Sequence, residues 1–127
     1  MKLGRKISGG KYHQSRKKKF FERDNQNREA VLGERKVRAL RVKGGNIKST
    51  VLRENKVNLT DAKGKTRKAD IKNVLETPQN SFFARQNKLL KGAIIETNLG
   101  KARITNRPTQ EGHINAKLIA PIDANNK

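Results

Sequence analysis

The sequence of 127 residues contains no cysteine and no tryptophan, and only one tyrosine, one methionine and eleven acidic residues. Without cysteine there is no disulfide, no zinc centre of the cysteine type and no thiol nucleophile. That suits a reducing compartment. No stretch approaches 18 apolar residues, so the sequence offers no transmembrane helix. The N-terminus is basic, but no apolar run follows it, which argues against a signal peptide. The two histidines, His13 and His113, stand a hundred residues apart. No serine, carboxylate or second histidine lies near either at a catalytic spacing, so both read as surface or RNA-facing groups. The acidic residues are scattered, and no pair reads as a general acid/base or metal couple. The expectation is a protein that is not an enzyme, with no metal and no other cofactor.

What is abundant is positive charge. There are 31 Lys+Arg against 11 Asp+Glu, a formal net charge of +20. So large a surplus repels itself, and it speaks to partners more than to fold. A polyanion is the natural counterpart, with nucleic acid first and acidic membrane surfaces or acidic proteins behind it. The charge is uneven. Residues 1–43 hold 15 basic and 4 acidic side chains, and the first 20 residues hold eight basic and none acidic.

Residues 1–30 have few apolar side chains, and these follow neither a period of two nor one of 3.6. Such a segment buries too little to offset its ordering entropy. It reads as a basic RNA-binding extension that orders on a polyanion, with a short helix possible between Arg16 and Arg28. From residue 35 the texture becomes β-like. Two β-type runs, Arg35–Lys43 and Ile47–Arg53, flank a Gly44-Gly45-Asn46 turn and predict a hairpin. Val57 and Leu59 alternate with polar residues, Asp61 to Gly64 signals a turn, and 68–75 reads as the next strand. Phe82 and Phe83 are the aromatic candidates for a core. A second hairpin is expected at 93–97 and 101–105, and a last strand at 114–120. Short strands at spacings of about ten residues predict an all-β fold, a small antiparallel barrel over 31–122, with a frayed tail at 123–127. Closing the barrel would remove exposed sheet edges.

Three features carry candidate chemistry. Ser8-Gly9-Gly10-Lys11 lacks the spacing and preceding strand of a P-loop. Its Gly9 and Gly10 still permit close backbone approach to a phosphate, or else form a flexible joint. The run Arg16, Lys17, Lys18, Lys19 precedes Phe20 and Phe21, which either stack on unpaired bases or pack under the barrel. Arg35, Lys36, Arg38, Arg41 and Lys43 load both faces of one strand, whereas a half-buried strand keeps one face apolar. Arg41 must therefore snorkel, lie at an edge or meet a ligand. Arginine suits bidentate phosphate contacts. The expected RNA-binding residues are Lys2, Arg5, Lys6, Gly9, Gly10, Lys11, Arg16, Lys17, Lys18, Lys19, Arg23, Arg28 and Arg35. Arg38, Arg41, Lys43, Asn46 and Lys48 form a second tier.

Four motifs occur in order: Gly4-Arg5-Lys6-Ile7-Ser8-Gly9-Gly10-Lys11; Arg38-Ala39-Leu40-Arg41-Val42-Lys43-Gly44-Gly45-Asn46-Ile47-Lys48; Lys91-Gly92-Ala93-Ile94-Ile95-Glu96-Thr97; and Gly100-Lys101-Ala102-Arg103-Ile104-Thr105-Asn106-Arg107-Pro108. Together they closely resemble the archaeal and eukaryotic small-subunit ribosomal protein family S-eight-e, in its short archaeal form. The resemblance runs from residue 4 to about 119. It implies a small β-barrel with a basic extension threading into ribosomal RNA, and a structural role in the small (30S) subunit during translation. The implied partners are small-subunit ribosomal RNA and other small-subunit proteins, with no membrane and no homo-oligomer, in the cytoplasm. Two rivals come from other classes: a DNA-compacting protein, and an RNA-processing enzyme or its accessory subunit. A membrane-surface role ranks last, because the basic residues do not lie opposite an apolar helical face.

Overall fold

The computed structural model describes residues 4–13, 15–24 and 27–121. Among these residues eight strands form two sheets. β1 (Val31–Leu32), β2 (Lys36–Arg41) and β3 (Ile47–Glu54) make a three-stranded sheet in the order β1-β3-β2. β4 (Lys56–Thr60), β5 (Thr66–Glu76), β6 (Ile94–Thr97), β7 (Gly100–Ile104) and β8 (Asn115–Pro121) close into a barrel. All barrel pairings are antiparallel except the closing one, where β8 runs parallel to β4.

The fold is all-β, as the strand spacing implies, and both expected hairpins form. Among the described residues the strands fall into two pairing systems, a three-stranded sheet and the closed barrel. The first hairpin pairs within the small sheet and contributes no strand to the barrel wall. One residue, Asn55, separates β3 from β4, and its carbonyl accepts a hydrogen bond from the Ile71 amide at 2.8 Å. The chain therefore passes from sheet to barrel almost without a break.

Alternation sets the barrel interior. Val57 and Leu59 of β4, Ala69 and Ile71 of β5, Ile95 of β6, Ala102 and Ile104 of β7 and Ala116 of β8 are all buried. Small and large side chains share this interior, which suits the taper of a small barrel. The eleven-residue β5 bends at register shifts between Ile71 and Asn73 and between Val74 and Glu76. Its first half pairs with β4 and its second half with β6. Bulges of this kind supply the curvature that closure needs.

Several expectations are corrected. Phe82 does not enter the core. It is 60% exposed on a five-residue helix α1 (Ser81–Arg85), while Phe83 is half-buried. The helix starts there because Asn80 caps it, its side chain accepting from the Phe82 amide at 2.9 Å. The reach from Arg16 to Arg28 holds only a single 3₁₀ turn, Phe20–Glu22, among its described residues. Phe20 and Phe21 are both exposed, so neither packs under the barrel. A second short helix, α2 (Pro108–Glu111), starts with proline and ends at Gly112, whose φ of 78° is left-handed.

Gly112 also makes a close approach. A Cβ built on it would lie 2.5 Å from the Cβ of Ser49 in β3. The turn after α2 therefore seats directly on the small sheet, where no side chain fits between them. Asn106, 8% exposed, locks this loop. Its Nδ2 donates to the Glu111 carboxylate and the His113 carbonyl, each at 2.9 Å, and its Oδ1 accepts from the Asn115 amide at 3.0 Å.

Candidate nucleic-acid interface

In the described part of the N-terminal region, residues 4–13 and 15–24 are exposed except for the half-buried Glu22. Residues 5–11 form a tight hairpin. Arg5 bridges Lys11, the Lys6 amide donates to Gly10 O at 2.8 Å, and the Gly9 amide donates to Lys6 O at 2.9 Å. Gly9 needs its φ of 80° for this turn. The glycines thus shape a defined loop that presents Arg5, Lys6 and Lys11, and the Gly9 amide is already engaged within it. Ile7 stands at the tip, fully exposed.

Further along, Arg16 is not a free cation. Its guanidinium grips Glu22 bidentately at 2.6 and 2.8 Å, and Glu22 also accepts from the Lys19 amide at 3.0 Å. The Arg16 hydrogen bonds, and secondarily the Lys19 amide, hold the Glu22 carboxyl below its usual range, while Glu22 raises Arg16. This pair folds the 16–22 turn on itself, and Arg23 Nε donates to Lys18 O at 3.5 Å across it. Lys17, Lys18 and Lys19 remain outward, with Lys19 lying 5.9 Å from the Phe21 ring centre. Lys6 lies 5.6 Å from the Tyr12 ring.

The region is tied down where it joins the body. Ala30 is fully buried, and its carbonyl accepts from the Leu89 amide at 2.8 Å. Leu32 N donates to Asn87 O at 3.0 Å, and β1 pairs in parallel with the end of β3. Glu29 binds Lys88 at 2.5 Å, and Lys88 in turn covers Phe83 at 4.2 Å. Arg28 is half-buried beside this anchor. Residues 29–32 are thereby anchored to the folded body.

The basic strand is an edge strand. Among the described residues β2 pairs only with β3, which accounts for the exposed Arg41. Arg38 pairs with Thr50 and Arg41 with Ile47, so the two arginines project from opposite faces. Lys36, Arg38, Arg41 and Lys43 are exposed, and none forms an ion pair among the described residues. Arg35 binds the Glu54 carboxylate at 3.3 Å. Asn46 closes the hairpin turn, its carbonyl accepting from Val42 N at 2.8 Å and its side chain donating to Lys43 O at 3.4 Å. Lys48 reaches Gln110 of α2. Asn46 is thus engaged in holding the hairpin and Lys48 in tying β3 to α2, while the arginines of β2 stay open. Lys2 lies outside the described residues.

Sequence reasoning missed a second group of side chains. Beside the junction of the two sheets is a pocket of about 190 Å³ bordered by Arg35, Glu54, Lys56, Asn58, Lys68 and His113. Lys56 and Lys68 were not expected as site residues, and His113, read as a surface or RNA-facing group, joins them. The one signal in the sequence is their alternation with core positions, which places a side chain outward but not beside another strand's.

The match to known proteins decides the family. The family described as ribosomal protein S8e matches residues 1–119. The chain belongs to the ribosomal protein S8e family. It is therefore a ribosomal protein and not an enzyme. It is 47% identical to small ribosomal subunit protein eS8 of Methanocorpusculum labreanum over 116 residues, covering 91% of this chain and 93% of that one. The protein of the same name from Nanoarchaeum equitans is 46% identical over 116 residues, covering 91% of each chain. That of Sulfurisphaera tokodaii is 44% identical over 117 residues, again covering 91% of each. This S8e chain is close in length to its archaeal relatives, in keeping with the short form.

Proposed function

We propose that this S8e-family chain is a structural component of the small ribosomal subunit, holding folded ribosomal RNA through its basic N-terminal region and the edge of its small sheet. The observation that carries this reading is the N-terminal region itself. Its cations and its apolar side chains, Ile7, Tyr12, Phe20 and Phe21, lie exposed, while Ala30 to Leu32 pin its exit to the folded body. A segment built this way has its partner outside its own chain.

The mechanism is charge neutralisation with shape. Lys and Arg replace condensed counterions around packed phosphates, and release of those ions drives binding entropically. The hairpin at 5–11 and the turn at 16–22 present cations at fixed positions, so less order must be imposed on binding. Residues 1–30 act as the RNA-binding extension, 31–122 as the folded platform and 123–127 as a tail. A-form RNA hides its base edges in a deep groove, so phosphate and 2′-OH contacts dominate over sequence readout. The partners are small-subunit ribosomal RNA and neighbouring small-subunit proteins, with a single copy of this chain bound in the cytoplasm.

The test is gradient sedimentation of a cell lysate after a high-salt wash. Co-migration with the small subunit is expected. Release to the top of the gradient, with equal affinity for duplex DNA and ribosomal RNA, would instead favour DNA compaction.

A further inference from the structure

The junction pocket assembles cations from parts of the chain that are distant in sequence. Arg35 precedes β2, and Glu54 ends β3. Lys56 and Asn58 face outward on β4 because Val57 and Leu59 face the barrel interior. Lys68 is the cross-strand partner of Asn58 on β5. His113 is brought in by the loop that Asn106 fastens. The side chains therefore converge through barrel closure and the seating of Gly112 on β3, not through local sequence.

The electrostatics are asymmetric. Glu54 is 2% exposed and its carboxylate is directed to Arg35 at 3.3 Å, whereas the Arg35 side chain is 64% exposed. Glu54 acts as a positioning residue. It holds one guanidinium nitrogen and leaves the other face of the fork toward solvent. Lys56 and Lys68 form no ion pair among the described residues. After the Arg35–Glu54 pair is matched, two ammonium groups remain around one small concavity. A volume of about 190 Å³ is below the ~300 Å³ at which pockets for whole small molecules begin. It suits one tetrahedral anion attached to something larger.

We propose that this pocket takes a single backbone phosphodiester of RNA, gripped by Lys56 and Lys68 and by the open side of the Arg35 guanidinium. The inference rests on the RNA-binding reading above and adds a specific contact on the barrel side of the molecule. Lysine supplies point charge and arginine a planar fork, so the three together fix the phosphate in position as well as neutralise it. The barrel would then be docked in register on the RNA, rather than carried on the basic extension alone.

The experiment uses the full chain and transcribed small-subunit ribosomal RNA. Phosphate-ethylation interference is mapped with the unmodified protein and with the double variant Lys56→Gln, Lys68→Gln. Both substitutions are on the outer wall, and a thermal melt checks that the variant stays folded. The unmodified protein is expected to show one phosphate, or two adjacent ones, whose ethylation blocks binding and ceases to matter in the variant. When one phosphate is no longer neutralised, the slope of log affinity against log salt becomes shallower by about 0.7–0.9, which at about 0.1 M salt is roughly a five- to eightfold loss of affinity. An unchanged interference map, with or without a loss of affinity, overturns the pocket. Failure of the unmodified protein to bind the RNA refutes the RNA-binding reading itself, and this ligand with it.

Discussion

Substituting Gly112 by alanine tests how the small sheet is joined to the barrel. Two costs arise at once. Gly112 has a φ of 78°, and a left-handed conformation costs an alanine about 1–2 kcal/mol. The new methyl carbon would also sit 2.5 Å from Ser49 Cβ, inside any tolerated contact. Relieving such a clash in a packed site costs about 1–3 kcal/mol. The sum is about 2–5 kcal/mol, a large share of the ~5–15 kcal/mol that stabilises a domain of this size. The two costs separate in a double-mutant cycle. Ser49→Gly removes the atoms that the methyl meets but leaves φ untouched. Ser49→Gly alone should cost about 0.5–1 kcal/mol, as glycine does within a strand. In the Gly112→Ala background it should recover most of the steric share, giving a coupling of about 1–3 kcal/mol. Urea unfolding of the four proteins measures this directly. A loss below about 1 kcal/mol for Gly112→Ala, or costs of the two substitutions that simply add, would show that the loop after α2 does not seat on β3 as described.

Further outcomes follow from the same structure. Leu59→Ala removes a fully buried side chain from the barrel and should cost about 2–5 kcal/mol by urea unfolding; a cost near zero would mean that the interior is not close-packed there. Asn106→Ala leaves the His113 carbonyl and the Asn115 amide without their partner and should cost about 2–4 kcal/mol, whereas Asn98→Ala, on an exposed turn, serves as the near-neutral comparison. Deleting residues 1–20 should leave the β-type circular dichroism intact while the salt slope for ribosomal RNA falls by about 0.7–0.9 for each phosphate left without its cation; undiminished binding would place the RNA interface elsewhere. The Glu22 carboxyl is held low by Arg16, so the pair stabilises the 16–22 turn above the ordinary glutamate range and is lost as pH falls through the lowered value. Arg16→Gln should move the NMR titration of Glu22 upward, and an unmoved titration would mean that the pair does not persist in solution.

Much of the molecule was legible because it is written locally. Alternation in Lys56 to Leu59 and in Ile114 to Ala120 marks strands, and Gly44-Gly45-Asn46 and Asn98-Leu99-Gly100 mark their turns. The cations of the N-terminal region stand out because nothing apolar accompanies them at a regular period. The helices at Ser81–Arg85 and Pro108–Glu111 escaped because one turn of helix has no period to read; only the Asn80 cap and Pro108 signal them. Phe82 was misplaced for a related reason: hydrophobicity says that a side chain gains from burial, not that a cavity exists to receive it.

By itself, the sequence determined the all-β class, the positions of most of the strands, the excess charge and the family. These depend on composition, on a period of two and on motifs contained within a dozen residues. Tertiary structure alone decided that the first hairpin stands outside the barrel, that β8 closes against β4 in parallel, and that Arg35, Lys56, Lys68 and His113 share one pocket. Those facts depend on strand partners chosen between segments far apart in the chain. Alternation fixes the face on which a side chain lies, but only closure of the sheet fixes what lies beside it.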